Sequence, residues 1–136
     1  GGKSWKRTLG DNQWMGVTDM AVDPRNANRI YAVTWEHHRT IAAYMSGSTN
    51  NRIYLSTDGG ETWEKLKTGL PEGNWGKTAL AVSPVEPDVV YAAIEQDRRT
   101  GGVWRSANRG GSWTKMSNTV AGATGPHYYQ EIEALV

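Results

Sequence analysis

Acidic, histidine and arginine side chains gather in three short stretches: residues 35–40 (WEHHRT), 95–99 (EQDRR) and 125–131 (GPHYYQE). Glycoside hydrolysis needs two carboxyl groups at a defined separation, one as the acid and the other as the base or nucleophile. The carboxylates that could supply such a pair are Glu36, Glu95, Asp97 and Glu131. Ion pairs with the neighbouring arginines are the alternative use of the same carboxylates; those arginines are Arg39, Arg98 and Arg99. The sequence leaves both open because it does not give the separations.

A metal site is a third chemistry that this stretch could support, since His37 and His38 follow Glu36. Adjacent residues of an extended segment point to opposite sides, so only one histidine would face a given site. No third ligand follows at a spacing typical of zinc sites. We therefore predict no metal and no cofactor.

The composition narrows the class of protein. The chain has 136 residues and a formal net charge of +1, which gives no reason to expect a nucleic-acid partner. It has no run of apolar residues long enough to span a membrane. It has no cysteine, which removes disulfides and thiolate chemistry and leaves the redox compartment open.

Two matching octapeptides place these stretches in a repeat. Residues 56–63 (STDGGETW) and 106–113 (SANRGGSW) share the pattern S-x-D/N-x-G-x-x-W at an interval of 50 positions, and residues 2–5 (GKSW) keep its second half. Asp-Gly-Gly between two alternating runs predicts a hairpin turn. We assign a structural role in this turn to Ser56, Asp58, Gly60, Trp63, Ser106, Asn108, Gly110 and Trp113.

A second set of matches lies at an interval of 60 positions: Gly16 with Gly76, Pro24 with Pro84, and Tyr31 with Tyr91. Each repeat reads strand, proline turn, strand, variable loop, strand, octapeptide, strand. Four short antiparallel strands at a period of about 50 residues are typical of a β-propeller blade. We predict an all-β fold of four-stranded antiparallel blades.

The repeat also predicts the domain organisation. Residues 1–136 form a single partial propeller domain, with blades at 17–66 and 77–116, the end of a preceding blade at 1–9 and the start of the next at 132–136. A strand should run from Trp5 to Leu9. Because propellers close with about four to eight blades, the chain is predicted to be a fragment of a larger propeller. The partners that complete the ring are other blades of the same chain or other copies.

Blade topology divides the connections between two faces. The proline turns and octapeptides share one face, and the variable loops and blade-to-blade links share the other. Loops that depart from a repeat on a rigid scaffold are where repeat proteins usually bind ligands. The predicted ligand-binding residues are Trp35, Glu36, His38, Arg39, Arg98, His127 and Tyr128. The aromatic residues of these loops, which also include Trp75 and Tyr129, could stack on sugar rings or plug the top of the propeller.

The octapeptides resemble Asp boxes, also called BNR repeats, which recur in sialidases, sortilin-type receptors and several glycoside hydrolases. The whole chain is similar to bacterial sortilin-like (VPS10-type) and glycosyl-hydrolase-like BNR-repeat proteins. The resemblance implies a secreted, periplasmic or cell-surface protein. The Arg-Ile-Pro segment typical of sialidases is missing, and the catalytic aspartates of xyloglucanase-type hydrolases cannot be placed on any residue here.

Two functions follow from the loops and the resemblance. The favoured one is a binding propeller that recognises a glycan or peptide across the loop-bearing face. The alternative is a carbohydrate-active glycoside hydrolase with its acid and base among the loop carboxylates.

Overall fold

The computed structural model describes residues 1–96, 100–119 and 131–135. Within these ranges the regular structure is entirely strand, and no helix is available to cross a membrane. The strands are β1 (Met15–Asp23), β2 (Asn26–Arg39), β3 (Tyr44–Ser46), β4 (Ile53–Ser56), β5 (Glu64–Lys65), β6 (Thr78–Val82), β7 (Val90–Glu95), β8 (Gly101–Ser106) and β9 (Thr114–Ser117).

The strands form two antiparallel sheets in simple meander order. The first sheet has the order β1-β2-β4-β5, with β3 paired to the end of β2, and the second has the order β6-β7-β8-β9. The prediction of an all-β fold built from four-stranded blades is therefore confirmed. The sheets run from residue 15 to 65 and from 78 to 117.

Two local predictions were wrong. Residues 5–9 form no strand and pair with none of the described strands. The variable loop after residue 34 is also shorter than predicted. Strand β2 continues to Arg39 and folds back on itself, where Arg39 pairs with Tyr44 of β3. Residues 131–135 lie outside the strands, and the start of a further blade at 132–136 stays a prediction.

Each Asp box closes its hairpin with its own side chains. In the first box, Asp58 Oδ1 accepts hydrogen bonds from Ser56 Oγ at 2.7 Å and from Thr62 N at 2.9 Å, and Ser56 Oγ accepts one from Gly60 N at 2.8 Å. Asn108 does the same in the second box. The hydrogen bonds from Thr62 and Ser56 lower the pKa of Asp58 to about 2.

Because Asn108 makes the same bonds, we expect Asp58→Asn to leave the unfolding midpoint in urea close to wild type and Asp58→Ala to lower it. The wild-type carboxylate stabilises the turn fully above its ordinary pKa of 3.8 and loses that effect as the pH falls towards 2. The difference between wild type and Asp58→Asn should therefore change only in that acidic window. A lowered midpoint for Asp58→Asn at pH 7 would contradict this equivalence.

The two blades pack through the second Asp box. A Cβ on Gly110 would lie 2.9 Å from Leu66 Cδ1 and 3.3 Å from Tyr31 Cε1, so this position leaves little room beyond a glycine. Trp113 N donates to Thr68 O at 3.0 Å. Tyr31 is fully buried at this contact, and burial raises the pKa of its hydroxyl to about 12. The box is thus both a turn of its own blade and a contact with the blade before it.

Polar contacts fix the same blade pair at the two sides of this core. Asp88 accepts hydrogen bonds from Arg109 Nε at 2.8 Å and from Arg25 of the first blade, and these bonds lower the pKa of Asp88 to about 2. On the β1 and β6 side, Asp19 Oδ2 accepts from Leu80 N at 2.7 Å. The first and second blades therefore form one packed unit.

Candidate functional site

The variable loops meet at the end of the blades that lies away from the Asp boxes. Strand β2 pairs with β4 from Ile30 opposite Ser56 to Val33 opposite Ile53, so β2 leaves the box end and runs towards the opposite end. The continuation of β2, residues 47–52 and the link at 71–77 lie there. We call this end of the blades the loop face.

Glu36 is a buried carboxylate at the loop face. Its residue is only 7% exposed, and Oε1 accepts hydrogen bonds from Asn12 Nδ2 and, at 3.3 Å, from Asn50 Nδ2. A hydrogen bond with the Ser48 side chain, together with these two amides, lowers the pKa of Glu36 despite burial. All of these donors are neutral, so among the described residues the Glu36 carboxylate is held by amides and a hydroxyl rather than by a cation.

Asn51 holds the backbone around Glu36. It is fully buried; its Oδ1 accepts from Glu36 N at 2.6 Å and its Nδ2 donates to Trp75 O at 2.6 Å. Ser48 N and O also bond to the backbone of Trp75, each at 3.0 Å. The variable loop of the first blade is therefore fixed to the link that enters the second blade.

Trp75 is a core residue, and its side chain has no surface open to a ligand. Its residue is fully buried, and its Nε1 donates to Pro71 O at 3.0 Å. Of the two uses open to this side chain in the sequence, stacking on a sugar or plugging the propeller, the burial favours the second.

Aromatic rings lie on both sides of β2. The Trp14 ring is 3.9 Å from the His38 ring, on the side to which Glu36 also points by strand alternation. On the other side the Trp35 ring is 4.5 Å from that of His37, which meets Tyr44 edge-on at 5.8 Å. Trp14 is 43% exposed and Tyr44 is 45% exposed. Each side thus has one ring open to a ligand.

The second blade has a buried carboxylate of its own. Glu95 is 4% exposed, and its Oε2 accepts from Lys77 N at 3.1 Å. A Cβ on Gly76 would lie 2.2 Å from this oxygen, so the carboxylate lies directly over a glycine. Lys77 and Glu95 make further interactions, so neither is free.

The predicted site residues fall into three groups. Glu36 and His38 lie on one side of β2, and Trp35 and the exposed Arg39 on the other. Arg98, His127 and Tyr128 lie outside the described residues, as do Asp97, Arg99 and Tyr129. Sequence reasoning missed the residues that hold Glu36, which are Asn12, Ser48, Asn50 and Asn51. Asparagine and serine also occur elsewhere in this chain, for example at Asn26, Asn74 and Ser83, so no sequence signal singled them out.

The fold and the repeats define a β-propeller of the BNR/Asp-box class. Residues 1–130 match the family Sortilin-Vps10, described as sortilin, neurotensin receptor 3. The chain belongs to this family.

The relatives of this chain include xyloglucanases. The chain is 31% identical over 116 residues to the xyloglucanase Xgh74A of Acetivibrio thermocellus, an alignment that covers 81% of the chain and 13% of the relative. It is 36% identical over 72 residues to the dispase autolysis-inducing protein of Streptomyces mobaraensis, covering 52% of the chain and 19% of the relative. It therefore spans a small part of each relative's length.

Solved structures with a similar fold include two GH74 enzymes. The GH74 enzyme of Niastella koreensis superposes with a TM-score of 0.56 at 24% identity, covering 82% of this chain and 16% of that one. The GH74 xyloglucanase of Xanthomonas campestris gives a TM-score of 0.50 at 26% identity, covering 74% of this chain and 13% of that one. In both, the match is a fragment of a longer propeller chain, which supports further blades as the partners of this unit.

Proposed function

We propose that this chain forms two blades of an exported propeller that binds a glycan on its loop face. The observation that carries the proposal is the half-exposed Trp14 ring, which contacts the His38 ring at a tilt of 53° on the side of β2 that also carries the buried carboxylate of Glu36. The xyloglucanase names of several relatives support a glycan over a peptide as the ligand.

An open indole ring beside polar groups suits a sugar. The apolar face of a pyranose ring packs on an aromatic ring, and a few fixed polar groups orient the hydroxyls. Trp14 N and Met15 N both bond to Asn12 Oδ1, at 2.8 and 2.9 Å, so the turn that carries the indole is fixed. Asn12 is also a donor to Glu36. One asparagine therefore positions both the ring and the carboxylate.

Glycoside hydrolysis is the second candidate function, and Glu36 favours it. A carboxylate that stays ionised below its ordinary pKa of 4.5 suits the nucleophile of a retaining hydrolase, which must be ionised, rather than a general base. The reaction also needs a carboxylic acid at about 5–5.5 Å for retention or about 6.5–9.5 Å for inversion. Binding requires no such partner, and it is the function that the described residues support better.

We expect Trp14→Ala to weaken polysaccharide binding by about tenfold, equivalent to about 1.4 kcal/mol. The measurement is affinity electrophoresis of the full-length protein in gels that contain xyloglucan or polygalacturonate. The matched control is Trp5→Ala, because Trp5 is 90% exposed and belongs to the half Asp box. Thermal melts should show that both variants fold.

Equal mobility of Trp14→Ala and wild type in every gel would contradict the proposed binding face, and so would a wild-type protein that no polysaccharide retards. Release of reducing ends by wild type, lost in Glu36→Gln while retardation persists, would establish the hydrolase instead.

A further inference from the structure

A cationic cleft opens on the outer part of the loop face, beyond the Glu36 site. It has a volume of about 390 Å³ and is lined by three cations, Arg52, Lys65 and Lys67, by one carboxylate, Glu72, and by neighbouring residues of the link at 70–73. Arg52 comes immediately before β4. Lys65 is the last residue of β5, and Lys67 follows that strand. Because β4 and β5 are antiparallel, these three side chains meet at one end of the strand pair.

Arg52 is fixed at the wall of this cleft. Its Nη1 donates to Asn51 O at 2.6 Å, its Nη2 donates to Gly73 O at 3.1 Å, and its Cζ lies 4.8 Å from the centre of the Trp75 ring. A guanidinium has five N–H donors, and these contacts use two of them. A planar, fixed guanidinium with donors left over suits a carboxylate or a sulfate.

Within the described residues the cleft keeps an excess of positive charge, because its three cations face the single carboxylate of Glu72. None of the three cations has a carboxylate oxygen within 4.0 Å in the described part of the chain. Burial, and then the like charges of Arg52 and Lys67, lower the pKa of Lys65, while only Asp11 raises it. The cations repel one another, so a bound anion would relieve that repulsion.

Among the described residues, the second blade has no equivalent of this cleft. At the interval of 50 positions, the equivalents of its cations in the second blade are Gly102, Lys115 and Ser117. A Cβ on Gly102 would lie 2.1 Å from Ser117 O, so the second blade has no room for a counterpart of Arg52. Lys115 instead lies over the Trp104 ring at 4.9 Å. The three-cation cleft is thus a feature of the first blade alone among the two described.

We propose that the cleft of Arg52, Lys65 and Lys67 binds the anionic group of an acidic glycan, either a uronate carboxylate or a sulfate ester. This inference rests on the proposed glycan binding by the loop face and names the class of glycan. The cleft adjoins the Glu36 site through the consecutive residues Asn51 and Arg52. Its volume lies in the range of pockets for small molecules, about 300–1,000 Å³, which exceeds the space that a free ion needs.

The test compares an acidic and a neutral polysaccharide on the full-length protein. In affinity electrophoresis, wild type should bind polygalacturonate or a sulfated carrageenan about tenfold more tightly than xyloglucan, and added salt should weaken only the acidic interaction. Lys65→Gln and Lys67→Gln should each weaken binding of the acidic polysaccharide by about 3- to 10-fold and leave xyloglucan unchanged. Lys115→Gln, which removes the same charge at the equivalent position of the second blade, should change neither.

The outcomes separate this inference from the proposed function. Retardation by xyloglucan alone, or equal retardation of Lys65→Gln and wild type by every acidic polysaccharide, would overturn the acidic class and leave glycan binding standing. No retardation by any polysaccharide would overturn both. Binding of inorganic sulfate that depends on Lys65, without binding of any polysaccharide, would identify an ion site and also overturn the inference.

Discussion

Gly69→Ala is expected to lower the free energy of unfolding by about 3–5 kcal/mol, because it adds a backbone clash to an unfavourable dihedral angle. Gly69 has a φ of +78°, and a Cβ there would lie 1.9 Å from Trp113 O. That carbonyl belongs to the second Asp box, so relief of the clash requires the two blades to move apart. Urea unfolding of the full-length protein, followed by tryptophan fluorescence, measures the effect.

The link itself supplies the control. Gly73 has a φ of +84°, yet nothing lies within 4 Å of the Cβ that a substitution would add. Gly73→Ala should therefore cost only the backbone term, about 1–2 kcal/mol. Equal losses for the two variants would show that the contact with Trp113 O contributes nothing, and would remove the argument for close packing of the blades at this point.

Asn51→Ala is expected to cost about 2–4 kcal/mol, because it removes two buried hydrogen bonds at once. The Glu36 N–H would lose its acceptor, whereas Trp75 O would keep the bond from Ser48 N. The same variant should weaken glycan binding by more than the fraction unfolded explains, since Asn51 positions the strand that carries Glu36. Chemical denaturation and affinity electrophoresis on one preparation separate the two effects.

Asn50→Ala is the matched control for that experiment. Asn50 is exposed and donates to Glu36 Oε1 at the longer distance of 3.3 Å, so its loss should cost no more than about 0.5–1 kcal/mol. If Asn51→Ala proves as stable as Asn50→Ala, the hydrogen bonds of Asn51 with Glu36 N and Trp75 O do not stabilise the fold.

The blade architecture was predictable from the sequence because its signals are local. The glycines and the Asp or Asn of each Asp box set a turn within eight residues, and alternating apolar residues mark the strands on either side. The extension of β2 to Arg39 was not predictable in this way. Residues 36–39 are all polar, and their pairing with β3 is decided by contacts with Trp14, Tyr44 and Asn51 rather than by alternation.

The candidate site was predictable only in part, for a related reason. Topology and departure from the repeat directed attention to Glu36 and His38 on the loop face. The asparagines that hold Glu36 come from 24, 14 and 15 positions away, and their amides carry no charge or period that a sequence pattern would reveal. The cationic cleft was missed because Lys65 reads as an ordinary outer-strand lysine until Arg52 is placed beside it.

The contact between the second Asp box and the first blade follows the order of the blades in the chain, because the box contacts the residues that precede its own blade. Trp113 N bonds to Thr68 O, and in the first box Trp63 Nε1 bonds to Thr8 Oγ1 at 3.2 Å, 60 positions earlier than Thr68. In both cases the tryptophan of an Asp box contacts a threonine that precedes the blade to which the box belongs. The box and the segment that it contacts are therefore kept together when one complete repeat is duplicated. A duplicated repeat would therefore carry the residues for its contacts with the blade before it and the blade after it. A propeller of this kind could gain a blade in this way without new substitutions at the contacts between blades.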